Sequence, residues 1–255
     1  MASFGCFRQL TANNFTHKRK YNTVIKAESL PWPDLQSKLM QQGHLVIPSV
    51  LDKQECDDLC ALYNQDIYRK KVQMERYRFG VGAYKYFKYP LPEVIQKLRE
   101  RFYPYLVPVA NGWMSSLGKE IRYPPNLGAF LDQCKDKNQK LATPLILKYQ
   151  SGGYNTLHQD LYGEVYFPIQ MVIFLKQPNQ DFVGGEFVMT EQIPRAQSRA
   201  IVVNPNRGDA LFFATTSRPK KGTKGYYRVN MRHGVSEVLE GERLTLGIIF
   251  HDAQV

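Results

Sequence analysis

His158 and Asp160 stand two residues apart in the stretch SGGYNTLHQD, a few positions after the glycine pair Gly152 and Gly153. Alternate side chains of an extended segment leave the same face, so this spacing brings an imidazole and a carboxylate to one point. Such a pair serves metal coordination, and two ligands do not make a catalytic centre. A third has to come from elsewhere in the chain.

The chain holds five histidines. Among the others, His233 lies in NMRHGVS, a segment with strand character, and His251 near the C-terminus is its rival. Two imidazoles and one carboxylate on one face of Fe(II) leave three coordination positions open for a cosubstrate and oxygen. Ten positions after His233 stands Arg243, in RLTLGIIF. Period-two alternation sets Arg243 and Thr245 on one face, with Leu244, Leu246, Ile248 and Phe250 on the other. An arginine pointing into a strand-built core is costly without an anion, and a dicarboxylate cosubstrate supplies one.

These residues resemble the Fe(II)/2-oxoglutarate-dependent dioxygenases, whose double-stranded β-helix carries H-x-D, a distal histidine, and a basic residue about ten positions later. The likeness is strongest to the part shared with prolyl hydroxylases. YQSGGYNTLHQD resembles their tyrosine and glycine leading to H-x-D, VGGEFVM their glycine-pair strand, GDALFF their G-x-A-x-x-F, and HGVSEVLEGER their distal segment, except that Glu237 stands where that pattern has proline. The resemblance implies that His158, Asp160 and His233 hold Fe(II). It implies that 2-oxoglutarate chelates the metal through its keto-acid end and reaches Arg243 and Thr245 with its far carboxylate, joined by Tyr149. A C–H bond of the substrate would be oxidised by O2 with release of succinate and CO2. Gly184 and Gly185 read as a tight turn, and Asp209 as a turn residue.

More of the chain, including LHQDLYGEVYFPIQ, DFVGGEFVMTEQIPRAQSRA and the terminal LGIIFHDA, resembles a bacterial oxygenase family grouped with AlkB-type enzymes that remove alkyl groups from nucleic-acid bases. Charge fits that substrate. Arg218, Lys221, Lys224 and Arg232 belong to a basic run around TTSRPKKGTKGYYR, read as a loop beside the strand of His233 and as a rim for a phosphate backbone. One departure favours a prolyl or other protein hydroxylase instead: AlkB enzymes close on a two-arginine R-x-N-x-T-x-R pattern, and Ile249 occupies the place of the second. A non-catalytic jelly-roll binding module is the third alternative, against which the intact His158, Asp160, His233 and Arg243 speak.

The elements that must position these groups are readable too. WPDLQSKLMQQG reads as a helix stopped by Gly43, HLVIPSVL as a strand, and DKQECDDLCALYNQDIY as a helix capped by Asp52 with Glu55 three residues on. LPEVIQKLRERFYPYL reads as a third helix, with Pro104 ending it. Residues 74 to 90, MERYRFGVGAYKYFKYP, read as a twisted β-ribbon packed through its aromatics, or more sharply as a basic stacking surface for unpaired bases. After Pro144 the pattern turns to seven short strands, LILKYQ, PIQMVIFL, GGEFVMT, RAIVVN, DALFFAT, YRVNMRHGV and LTLGIIF, with no helix between them.

The expected fold is therefore mainly β with N-terminal helices (α+β), built on a jelly-roll, cupin-like core. Residues 1–28 read as a loosely ordered arm and 29–255 as a single dioxygenase domain, with 29–143 as helical and ribbon support and 144–255 as the core. The net charge of +11 favours polyanionic partners. Four scattered cysteines, no apolar run long enough to span a bilayer and no secretory h-region point to a reducing cytoplasm with no membrane contact.

Overall fold

The computed structural model describes residues 27–160 and 163–255. The arm expected at residues 1–28 lies outside them except for its last two residues, which open a short 3-10 turn, Ala27–Ser29. The supporting half runs α1 (Trp32–Gln42), β1 (His44–Ile47), α2 (Lys53–Leu62), β2 (Tyr68–Gln73), β3 (Gly80–Val81), β4 (Ala83–Phe87), α3 (Glu93–Ser116), α4 (Leu127–Asp136) and β5 (Gln139–Leu141). Eleven strands follow with no helix between them: β6 (Leu145–Gln150), β7 (Tyr154–His158), β8 (Ile169–Phe174), β9 (Phe182–Gly184), β10 (Phe187–Gln192), β11 (Ser198–Val203), β12 (Ala210–Ala214), β13 (Ser217–Gly222), β14 (Gly225–Val235), β15 (Val238–Ile248) and β16 (Ala253–Gln254).

Helix ends follow local chemistry. Gly43 caps α1 in the left-handed conformation, its N–H donating to Leu39 O. Asp52 and Glu55 form a complete capping box on α2. That helix stops at Leu62; of the rest of its expected span, 63–67 form a turn and connection and only Tyr68 joins β2. Pro104 does not end α3, which runs on through Pro104 and Pro108 to Ser116. Both prolines lie on the exposed face, where the carbonyls they orphan reach water, while Phe102, Leu106, Val109 and Trp113 hold the buried face in place. Each such apolar side chain contributes about 1.5–3 kcal/mol on full burial.

Two antiparallel sheets form the core. One runs β1-β12-β8-β15-β6-β4-β2, with β9 added on β15; the other runs β11-β10-β14-β7-β3, with β13 on β14. Their inner faces enclose a cavity lined from both, the jelly-roll arrangement expected of the sequence. β15 is central and explains its own pattern. Leu244, Leu246 and Ile248 pack into the helix-side core with Phe102, Phe212 and Met171, while Arg243, Thr245 and Gly247 line the cavity. The α3 side of the sheet is fixed by ring contacts, among them Phe102 on Phe212 at 5.3 Å.

Two expectations change here. The stretch around TTSRPKKGTKGYYR is a β-hairpin, β13 paired with β14 from Ser217↔Asn230 to Gly222↔Gly225, and not a loop. The segment at 74–90 is a 3-10 turn, Met74–Tyr77, followed by β3 and β4, of which β4 joins the larger sheet and β3 the smaller. No helix among the described residues is long and apolar enough to cross a membrane.

Candidate metal and cosubstrate site

Antiparallel pairing of β7 with β14 sets His158 directly opposite His233, with ring centroids 4.3 Å apart. Two residues beyond His158 the chain brings in Asp160, whose Oδ1 lies 3.5 Å from His158 Nε2 and whose Oδ2 lies 3.3 Å from His233 Nε2. The three ligand atoms fall within 4.8 Å of one another. His158 Nδ1 sits 2.7 Å from Thr156 O. A donated Nδ1–H there leaves the Nε2 lone pair facing the carboxylate and the other imidazole, the tautomer a metal ligand needs. Burial, and next the neighbouring His233, lower the pKa of His158 and favour that neutral form. His233 is clamped between Phe187, stacked at 5.7 Å, and Phe213 at 4.7 Å. Gln159, between the two ligands, ties the segment down by donating to Thr216 O and Met231 O.

His251, the rival ligand, is buried elsewhere, and its Nδ1 accepts from Phe167 N–H at 3.1 Å. The choice of His233 follows from strand register.

Deeper in the cavity, Arg243 is 1% exposed and none of its three guanidinium nitrogens has a hydrogen-bond partner. The side chain runs between the rings of Tyr149, its cross-strand neighbour on β6, at 5.6 Å and Phe174 at 5.3 Å. Burial lowers its pKa to about 10, opposed by Tyr149 and Glu186, so it is charged at neutral pH. The Tyr149 hydroxyl is also buried, with the Asn155 side chain near it but not in good hydrogen-bond geometry, and burial pushes it up to about 12. Thr245 completes this end at 2% exposure. An unpaired buried cation beside an unpaired hydroxyl is expensive unless a ligand anion joins them. The arrangement fits one carboxylate of a small diacid, with its other end toward the histidines. The cavity, about 360 Å³, is of ordinary size for a small-molecule site.

Gly184 and Gly185 do form a turn, both at positive φ, but Gly185 does more. A Cβ there would meet Arg243 Cδ at 2.9 Å, so the glycine makes room for the guanidinium stem. Asp209 is a turn residue as expected, accepting from Ser49 N and Asn206 N.

The basic rim does not assemble at the cavity. Arg218 is buried in an ion pair with Glu191, which also binds Lys220 at 2.6 Å. Arg232 pairs across to Thr190 and, by alternation, points to the face opposite His233. Lys221 and Lys224 are exposed on the hairpin and line no part of the cavity. Sequence reasoning missed Gln170, Phe187 and Phe213, which line the cavity. Gln170 carried a signal, being the one polar residue within the strand run IQMVIF.

The geometry has a counterpart among known proteins. A family of oxygenases described as catalysing oxidative methylation of damaged DNA matches residues 82–253. The chain belongs to this family. Two uncharacterized proteins from two strains of Mycobacterium tuberculosis are each 42% identical over 190 residues, covering 72% of this chain and 81% of the relative. In fold, the oxygenase is similar to a prolyl-4-hydroxylase of Pseudomonas putida, with a TM-score of 0.51 and 14% identity over 88% of this chain and 100% of the other. It is also similar to an oxidoreductase of the 2OG-Fe(II) oxygenase family from Burkholderia pseudomallei, with a TM-score of 0.52 and 16% identity over 89% and 94%. The chain is thus an oxygenase, an oxidoreductase, and it carries a His-Asp-His cluster able to hold a metal ion. A metal held by His158, Asp160 and His233 would supply oxygen activation, and the protein the ligands, their orientation and a water-poor wall. A non-catalytic binding module is thereby set aside.

Proposed function

We propose that His158, Asp160 and His233 hold the iron, that Arg243, Thr245 and Tyr149 take the far carboxylate of 2-oxoglutarate, and that the substrate is an alkylated base in unpaired nucleic acid. Oxidation of the alkyl C–H bond would proceed with conversion of 2-oxoglutarate to succinate and CO2. The observation that carries the substrate reading is an exposed aromatic pair at the cavity mouth. Tyr77 and Phe79 are 53% and 44% exposed and stacked on each other at 5.5 Å, with the exposed cations Arg76 and Arg78 alternating with them. Phe79 also lines the cavity, and its carbonyl accepts from Thr156 N and Oγ1, two residues before His158. A flat hydrophobic face next to the iron ligands, rimmed by positive charge, suits a base taken out of its stack. The hairpin cations Lys221, Lys224 and Arg232 stand on a different face and would serve only a polymer that wraps past the mouth.

The described cysteines Cys56, Cys60 and Cys134 are free, which supports a reducing cytoplasm. Protein hydroxylation is the second reading, favoured by Ile249 in place of a second arginine and by nothing at the mouth.

The deciding assay is succinate formation by Fe(II)-reconstituted protein with methylated single-stranded DNA or RNA, unmodified strands, or proline-rich peptides, with His158→Ala as control. Methylated strands should stimulate turnover, and Phe79→Ala should weaken strand binding by about 1–3 kcal/mol. Stimulation by peptides alone, or full strand affinity in Phe79→Ala, would remove the nucleic-acid reading.

A further inference from the structure

Among the described residues, the buried side-chain nitrogens and oxygens without a partner on cavity-lining residues are those of Tyr149 and Arg243, Nδ1 of the His233 ring, and Gln170 Nε2. Tyr149 and Arg243 face each other at one end. Gln170 Nε2 lies apart from them on β8, with the residue 4% exposed. Its position is defined by its neighbours. Across the sheet on β12 it pairs with Phe213, whose ring contacts the His233 ring at 4.7 Å, so Gln170 belongs to the metal end. On the other side Ile248 pairs with Met171, which leaves Ile249 beside Gln170. The inward positions of β15 are Arg243, Thr245 and Gly247, with Ile249 just past its end also lining the cavity, about 20 Å of chain from Arg243 to Ile249. The Arg243 side chain and a five-carbon diacid can divide that span between them.

The two ends differ in chemistry. The Arg243 end offers a cation and a hydroxyl, while beside Gln170 the wall is apolar, with Phe213 its cross-strand partner and Val172 two residues along the same face. An amide buried in that wall with nothing to donate to is costly in the empty protein and becomes favourable when a ligand oxygen reaches it. We infer that Gln170 is a positioning residue for the cosubstrate, donating its amide N–H to the keto-acid carboxylate of 2-oxoglutarate at the iron while Arg243 holds the far carboxylate. The cavity then reads the diacid by one neutral donor near the metal and one cation away from it. This rests on the assignment of Arg243 to the far carboxylate and adds the group that fixes the other end.

The test is calorimetric titration of Mn(II)-loaded protein, without primary substrate, using 2-oxoglutarate and 2-oxobutyrate, which has the same keto acid but no far carboxylate. Gln170→Met should weaken both ligands by about tenfold to a hundredfold, the loss of a hydrogen bond to a charged group. Arg243→Met should weaken 2-oxoglutarate alone. Gln170→Glu, equal in size but carrying a repelling carboxylate, should bind both ligands more weakly than Gln170→Met. Thermal unfolding and metal content of each variant separate binding from misfolding. If Gln170→Met binds 2-oxoglutarate within twofold of wild type and instead raises KM for methylated strands or peptides, the amide serves the primary substrate and the inference fails. A wild type that retains Mn(II) but binds neither ligand overturns the diacid reading itself, a result distinct from unchanged affinity in the Gln170 variants.

Discussion

Replacing His251 by Asn separates a structural histidine from a metal ligand and predicts a specific pH dependence. Burial, with the Arg99 cation as the next cause, lowers the pKa of His251 from 6.5 to about 3, with Asp160 opposing. The hydrogen bonding explains why protonation is resisted: Phe167 N–H already points at Nδ1, and a proton there would set two donors face to face. Above pH 6.5 neither the folded nor the unfolded chain binds the proton, so His251 has no effect on stability. Between 6.5 and about 3 only the unfolded chain binds it, and stability falls as pH falls. At about 1.36 kcal/mol per pH unit, lowering the pH from 7.5 to 5 should cost about 2 kcal/mol through this residue alone. For a chain of this length that is a drop in Tm of about 4 to 8 °C. Asn keeps an acceptor near the Nδ1 position but takes no proton. Urea unfolding of wild type and His251→Asn at both pH values should give curves that converge toward pH 5, with the other histidines cancelling in the difference. Parallel curves would refute the argument, and loss of iron binding in His251→Asn would restore this residue as a ligand candidate.

Three further outcomes follow from the geometry. Asp160→Asn removes the one anionic ligand, so iron retained after gel filtration should fall well below stoichiometric while the fold, read by circular dichroism, persists; full retention would argue against the three-residue centre. Gly185→Ala places a Cβ against Arg243 Cδ in a left-handed backbone position, so it should destabilise by about 1–2 kcal/mol and raise KM for 2-oxoglutarate, with iron content unchanged. Glu191→Gln leaves Arg218 buried without its carboxylate and should cost about 3–5 kcal/mol in urea unfolding with no change in KM for 2-oxoglutarate, because Arg218 lies outside the cavity lining.

Where a function depends on strand periodicity, the sequence was enough to find it. His158 and Asp160 share a face because they are two apart, and Arg243 and Thr245 share one for the same reason; no tertiary information enters. The third ligand was different. In the sequence His233 is favoured over His251 only indirectly, by Arg243 ten positions beyond it, and the pairing of β14 with β7 is what brings His233 opposite His158. The basic rim failed on the same ground. Arg218 looks like a surface cation in SRPKKG, and its burial is decided by Glu191, 27 residues earlier, on a strand that pairs with β14. The Pro104 stop failed because an exposed proline can be carried by a helix whose opposite face is deeply packed, and that packing is also long-range. Gln170 stands between these cases. A lone amide in a run of apolar residues is visible in the sequence, yet a buried glutamine satisfied within the core would look the same there. Its significance comes from having no partner for its amide nitrogen in a wall that also touches His233 through Phe213. Periodicity tells which face a side chain occupies, and only the facing elements tell whether its polar atoms are already taken; the untaken ones of Arg243, Tyr149 and Gln170 are those on which the proposed cosubstrate contacts rest.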